Sequence, residues 1–83
     1  MDDQAGEGES VVISKFEKNK KEEVRVSVDN FHGRKLINIR VYYKDDDETM
    51  KPGKGLALTV DHYKDLAGAI IEVGQYLKSQ GLI

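Results

Sequence analysis

Between Phe31 and Leu58 the chain sets rings among cations: Phe31, His32, Arg34, Arg40, Tyr42, Tyr43, Lys51 and Lys54 fall within 28 residues. Aromatic faces stack on unpaired bases whatever their identity, and arginine or lysine beside them neutralises phosphates. The chemistry available to these types at this spacing is therefore the holding of a single-stranded polyanion, with no bond made or broken. The same rings on strands also suit an ordinary protein core, and that reading stands beside the first.

The other chemistry-bearing motifs each fail a specific requirement. PGKG at residues 52–55 lacks the spacing of a phosphate-binding loop, and Leu56 stands nearby where a hydroxyl would be needed, with no Ser or Thr directly after Lys54, so it reads as a glycine-flanked bend. DDDE at residues 45–48 lacks the alternating acids, central glycine and terminal glutamate of an EF-hand and reads as a solvated turn. His32 and His62 stand 30 residues apart with no third ligand, and the chain has no cysteine, so neither a metal site nor a disulfide is expected. No nucleophile motif is present, and the chain is expected not to be an enzyme and to need no cofactor.

Charge is segregated along the 83 residues, although the formal net charge is only −2. Residues 1–14 carry four acids and no base, whereas residues 15–44 carry nine bases against four acids, a local excess of +5. Binding of a polyanion depends on the potential of one face rather than on the total. Lys20, Lys21 and Arg25, from this basic segment, therefore join the candidates. Hydrophobic residues make up 39% and charged residues 34%, with no apolar run near the length of a membrane span and no secretory signal. The expected setting is intracellular, away from membranes. A chain this short buries only about 60% of its unfolded surface, which makes a dimer plausible.

These residues need elements to position them. Residues 1–10 lack any apolar period and read as an acidic, disordered tail, leaving residues 11–83 as one domain. Val11 to Phe16 suits a short strand, and KNKKEE after it suits a turn. Val24, Val26 and Val28 alternate with Arg25, Ser27 and Asp29, the period of a half-buried strand. After a turn at Gly33, Lys35, Ile37, Ile39 and Val41 alternate with Arg34, Asn38, Arg40 and Tyr42. Tyr42 and Tyr43 must therefore face opposite sides. Met50 to Leu58 forms a further strand in which Pro52 marks an edge position or a bulge. From Thr59, a candidate N-cap, Tyr63, Leu66, Ala67, Ile70, Val73, Gly74 and Leu77 recur at helical spacing until Gly81. One face of this helix is expected to pack on the sheet and another to meet a second subunit. The order β-β-β-β-α predicts an α+β domain: a four-stranded antiparallel sheet followed by one C-terminal amphipathic helix.

The segments VSVDNFHGR, LINIRVYY and MKPGKGLAL, followed by a helix, resemble the DNA-binding domain of the transcriptional positive cofactor four family, single-stranded-DNA-binding coactivators. The resemblance runs from about Val24 to Leu77, and MKPGKG is its most specific piece. It implies a homodimer whose strongly curved sheets, backed by helices, form grooves for unwound DNA. It also implies roles: Phe31 matches a base-stacking phenylalanine and Tyr43 a stacking tryptophan, Arg34 and Arg40 match phosphate-contacting residues, and Lys51 and Lys54 match basic residues of the last strand. His32 stands where a lysine is usual, and Asp29 where an arginine can occur. The wording RVYYKDDD is closer to bacterial relatives, which favours a cytoplasmic or nucleoid setting, with a nucleus as the setting if the chain is eukaryotic.

The function expected is a dimeric single-stranded DNA-binding protein of transcription or DNA maintenance, with duplex DNA or RNA bound more weakly and the transcription machinery as a further partner. The alternative is a protein-interaction domain, or an RNA-binding module without strong DNA affinity.

Overall fold

A computed structural model describes residues 9–83. The strand β1 (Ser10–Glu17) is followed by β2 (Glu22–Phe31), β3 (Arg34–Lys44) and β4 (Met50–Thr59), all antiparallel and ordered β1-β2-β3-β4 in one open sheet. A 3-10 turn at Val60–His62 leads into the helix α1 (Tyr63–Ser79). The α+β arrangement expected from the periodicity is thus present. The acidic tail lies largely outside the described residues, although Ser10 belongs to β1 and the Glu9 carbonyl accepts from the Asn30 amide.

Alternation sorts the sheet into two faces because successive strand residues point to opposite sides. Val24, Val26 and Val28 lie opposite Val41, Ile39 and Ile37, and β1 adds Val11 and Phe16 while β4 adds Leu56 and Leu58. The other face carries Arg25 opposite Arg40, Ser27 opposite Asn38, Asp29 opposite Leu36, and Phe31 opposite Arg34. His32 and Gly33 close the β2–β3 hairpin with φ of 52° and 75°. A two-residue loop with both φ values positive is the type I′ turn that matches the twist of paired strands, and glycine accepts that geometry without steric penalty.

Pro52 behaves as its type demands. β4 is an edge strand, and next to Pro52 the ladder shifts so that Gly53 and Lys54 together oppose Val41. This extra residue reverses the side on which everything before it in β4 points.

The acidic loop is a turn organised by one side chain. The Asp45 carboxylate accepts from the Asp47 and Thr49 amides, both at 3.1 Å, and from the Lys51 ammonium at 3.0 Å. Side-chain hydrogen bonding with Asp47, followed by Lys51, lowers the Asp45 carboxyl from 3.8 to about 2. A carboxyl lowered by folding contributes stability that is fully present above its unfolded value and is lost as pH falls through the folded one. Loop order should therefore hold at pH 4 and fade as pH approaches about 2. The Thr49 amide shift in an NMR titration should show that midpoint, and Asp45→Asn should erase it.

The helix departs from expectation. Thr59 ends β4 and forms no side-chain cap; its hydroxyl bonds the Asp61 carboxylate instead, chiefly lowering that group's pKa. At the other end Gly81, at φ 72°, completes a Schellman motif in which the Gly81 amide donates to the Lys78 carbonyl and the Leu82 amide to the Leu77 carbonyl. Among the elements, α1 packs appreciably only on the 3-10 turn before it and not on the sheet. The apolar stripe shows that a face must be covered, but it does not say what covers it. Among the described residues no hydrophobic side chain is buried, and Ser27 is the one buried polar residue. The radius of gyration, 15.2 Å, exceeds the roughly 12 Å of a compact chain of this length. Neither the sheet's apolar face nor α1 has the second layer that a domain core requires.

Candidate nucleic-acid interface

The polar face of β2 and β3 gathers most of the candidate side chains. Phe31, at the hairpin tip, is 54% exposed, and its ring meets that of His32 edge-on with centroids 4.1 Å apart. Arg34 lies directly opposite Phe31, and its charge also reaches Asp61 in the 3-10 turn. Arg40 Nη1 donates to the Gly53 carbonyl at 2.8 Å, which fixes the guanidinium across β4. Arg25 lies 4.0 Å above the centre of the Tyr42 ring and pairs with Glu23.

Gly55 makes the Arg40 position possible. A Cβ on Gly55 would stand 2.8 Å from both Arg40 Cζ and the Ile39 carbonyl oxygen, and the carbonyl belongs to backbone that cannot swing aside. Gly55→Ala should therefore destabilise the sheet by about 1–3 kcal/mol, the usual cost of overpacking. Urea unfolding checks this, and an unchanged midpoint would show that β4 moves without penalty.

Asp29 occupies the middle of this face. Its Oδ1 accepts from the Ser10 hydroxyl at 2.6 Å and the Ser27 hydroxyl at 3.0 Å, while Oδ2 accepts from Asn38 Nδ2 at 2.7 Å. Desolvation pushes this carboxyl up, but the bonds from Ser10, Asn38 and Ser27, with the Arg40 charge, bring it below the usual value. The group thus ties β1, β2 and β3 together as an anion. Beside it opens a cavity of about 350 Å³ lined by Ser10, Asp29, Phe31, Leu36, Asn38 and Tyr42.

The structure divides the sequence-derived candidates. Phe31, Arg34, Arg40 and Arg25 share the polar face. Tyr43 and Lys51 face each other on the reverse side, where Tyr43 is 43% exposed and Lys51 is held by Asp45. Lys54 lies in the bulge, and His32 in the hairpin turn. Lys20 and Lys21 sit in the β1–β2 turn, where the Lys44 amide donates to the Lys21 carbonyl. That turn is at the opposite end of β2 from Phe31, roughly 30 Å away at about 3.3 Å per residue. Asn38 and Gly55 were not among the candidates, and Tyr42, although one of the rings in the run, carried no assigned role. The signal for Tyr42 was its parity with Arg34 and Arg40, whereas the contact that singles out Gly55 is between strands and invisible in one segment.

A family profile described as Transcriptional Coactivator p15 (PC4) matches residues 18–69, from the β1–β2 turn into α1. The RNA polymerase II transcriptional coactivator KIWI of Arabidopsis thaliana is 34% identical over 64 residues, which cover 77% of this chain and 56% of that protein. The chain thus spans little more than half the length of that relative. Among solved structures, a PC4 homolog from Burkholderia pseudomallei K96243 superposes with a TM-score of 0.72 at 15% identity, covering 84% of this chain and 96% of that one. The bacteriophage T5 homolog of the eukaryotic transcription coactivator PC4, implicated in recombination-dependent DNA replication, gives 0.65 at 22% identity, covering 89% and 82%. At these identities the two structures speak for the fold.

Proposed function

The chain belongs to the Transcriptional Coactivator p15 (PC4) family, and on that premise we propose that it is a dimeric single-stranded DNA-binding protein acting in transcription or DNA maintenance. The observation that carries this reading is the continuous polar face on which exposed Phe31 and the guanidinium groups of Arg25, Arg34 and Arg40 lie together. Stacking on Phe31 holds bases, and the arginines neutralise phosphates. Tyr43 and Lys51 join only where DNA rounds the β4 edge or where the reverse face of one protomer meets the groove of the other. Lys54, at the bulge, and His32, Lys20 and Lys21, at the two ends of the sheet, extend the path of the backbone.

The dimer part of the proposal rests on the uncovered apolar surfaces. A second copy would cover the Val24, Val26, Ile37 and Ile39 face and the α1 stripe, giving both the second layer that a single chain lacks. Such a protein would work where DNA is unwound, in the nucleoid of a bacterium or in a nucleus.

Fluorescence anisotropy with single-stranded DNA, duplex DNA and RNA across a salt series tests the reading. Single-stranded DNA should bind most tightly, with affinity falling at a logarithmic slope of about −0.7 for each phosphate neutralised. No binding at low salt, or a clear preference for RNA or duplex, would overturn it.

A further inference from the structure

We propose that Asp29 reads the edge of an unpaired base, selecting bases that present an amino group over thymine or uracil; the inference rests on the single-stranded DNA reading above. Asp29 is two residues from Phe31 on the same strand and the same face, and both line, with Tyr42, the open cavity of about 350 Å³. A base laid on the Phe31 ring therefore directs an edge toward the carboxylate.

That edge meets acceptors. The carboxylate is an anion with room for about four hydrogen bonds, and three are filled: two on Oδ1 by Ser10 and Ser27, and one on Oδ2 by Asn38. The two hydroxyl protons are both spent on Asp29, which leaves an open acceptor position on Oδ2. Asn38 Oδ1, beneath it, is a buried acceptor with no partner among the described residues. A phosphate brought near this group would be repelled, so the carboxylate keeps the DNA backbone on the side of Arg34 and Arg40 and turns bases inward. The amino groups of cytosine and adenine donate to a carboxylate, whereas thymine and uracil present the O4 acceptor at the corresponding position.

Deoxycytidine and deoxyuridine homopolymers of equal length differ at that edge alone, so anisotropy of the full chain with each, at one salt concentration near neutral pH, isolates the effect. The wild-type protein should bind oligo(dC) about tenfold more tightly than oligo(dU), the discrimination usual for one well-placed base contact. Asp29→Asn, which keeps the shape and removes the charge, should bring the two affinities within about threefold of each other, chiefly by strengthening oligo(dU). Equal binding of both oligomers by the wild-type protein overturns this inference and leaves the single-stranded DNA reading intact. Binding of neither overturns both. Full discrimination retained by a folded Asp29→Asn overturns the assignment to Asp29. Where the variant unfolds, equal binding of the two oligomers by the wild-type protein still overturns the inference.

Discussion

Phe31→Ala is expected to weaken single-stranded DNA binding by about 1–3 kcal/mol, a factor of roughly 5 to 150, since each base–aromatic stack removed costs that much. The ring is over half exposed at the tip of the β2–β3 hairpin, so its removal opens no cavity and melting should change little. Stacking carries no net charge, so the salt dependence should keep its slope while every affinity drops. Arg40→Ala should do the reverse, flattening the slope by about 0.7 for the phosphate it no longer neutralises. Titrations across salt with both variants separate the two contributions. Unchanged affinity for Phe31→Ala would remove stacking from the proposal. A Tyr42→Ala and Tyr43→Ala pair then locates the second ring, because the two tyrosines lie on opposite faces.

Ile70→Asp should abolish both the dimer and the fold. Ile70 is 62% exposed in a single chain, within a stripe that includes Tyr63, Val73 and Leu77. A charge placed on an exposed helix position of a stable monomer costs under about 0.5 kcal/mol. At a position buried by a second copy, an unpaired carboxylate costs several kcal/mol, close to the whole stability of a small domain. With no hydrophobic residue buried among those described, a single chain has little left to hold it. The wild-type melting temperature should accordingly rise with protein concentration, as mass action requires when folding and association are coupled. Sedimentation and circular dichroism together are decisive. A variant that is monomeric yet melts cooperatively with its sheet intact would falsify the dimer reading.

Single side chains show where legibility in the sequence stops. Arg34 and Arg40 share a face by simple parity, and the structure keeps them together on β3. Lys51 shares parity with Gly55, the partner of Arg40, and uninterrupted pairing would put it on the arginine face. The residue added at Gly53–Lys54 turns it to the reverse face instead, opposite Tyr43 and within reach of Asp45. Asp29 looked only like an acid in place of a cation. Its meaning as the bonded centre of three strands depends on Ser10, 19 residues away, and Asn38, nine residues away.

By itself the sequence determined the period-2 strands, a turn at Gly33, the change to helical period after Thr59, and the family. Each of these is written in local backbone preference or in contiguous wording. Only the tertiary structure decided which side of the sheet each cation takes beyond the bulge, and that Gly55 admits the Arg40 guanidinium. It also decided that α1 stands off its own sheet. Those outcomes depend on register and on packing between distant segments. An alternating pattern fixes which residues share a face of one strand, but not how a neighbouring strand is aligned to it or what covers the apolar side.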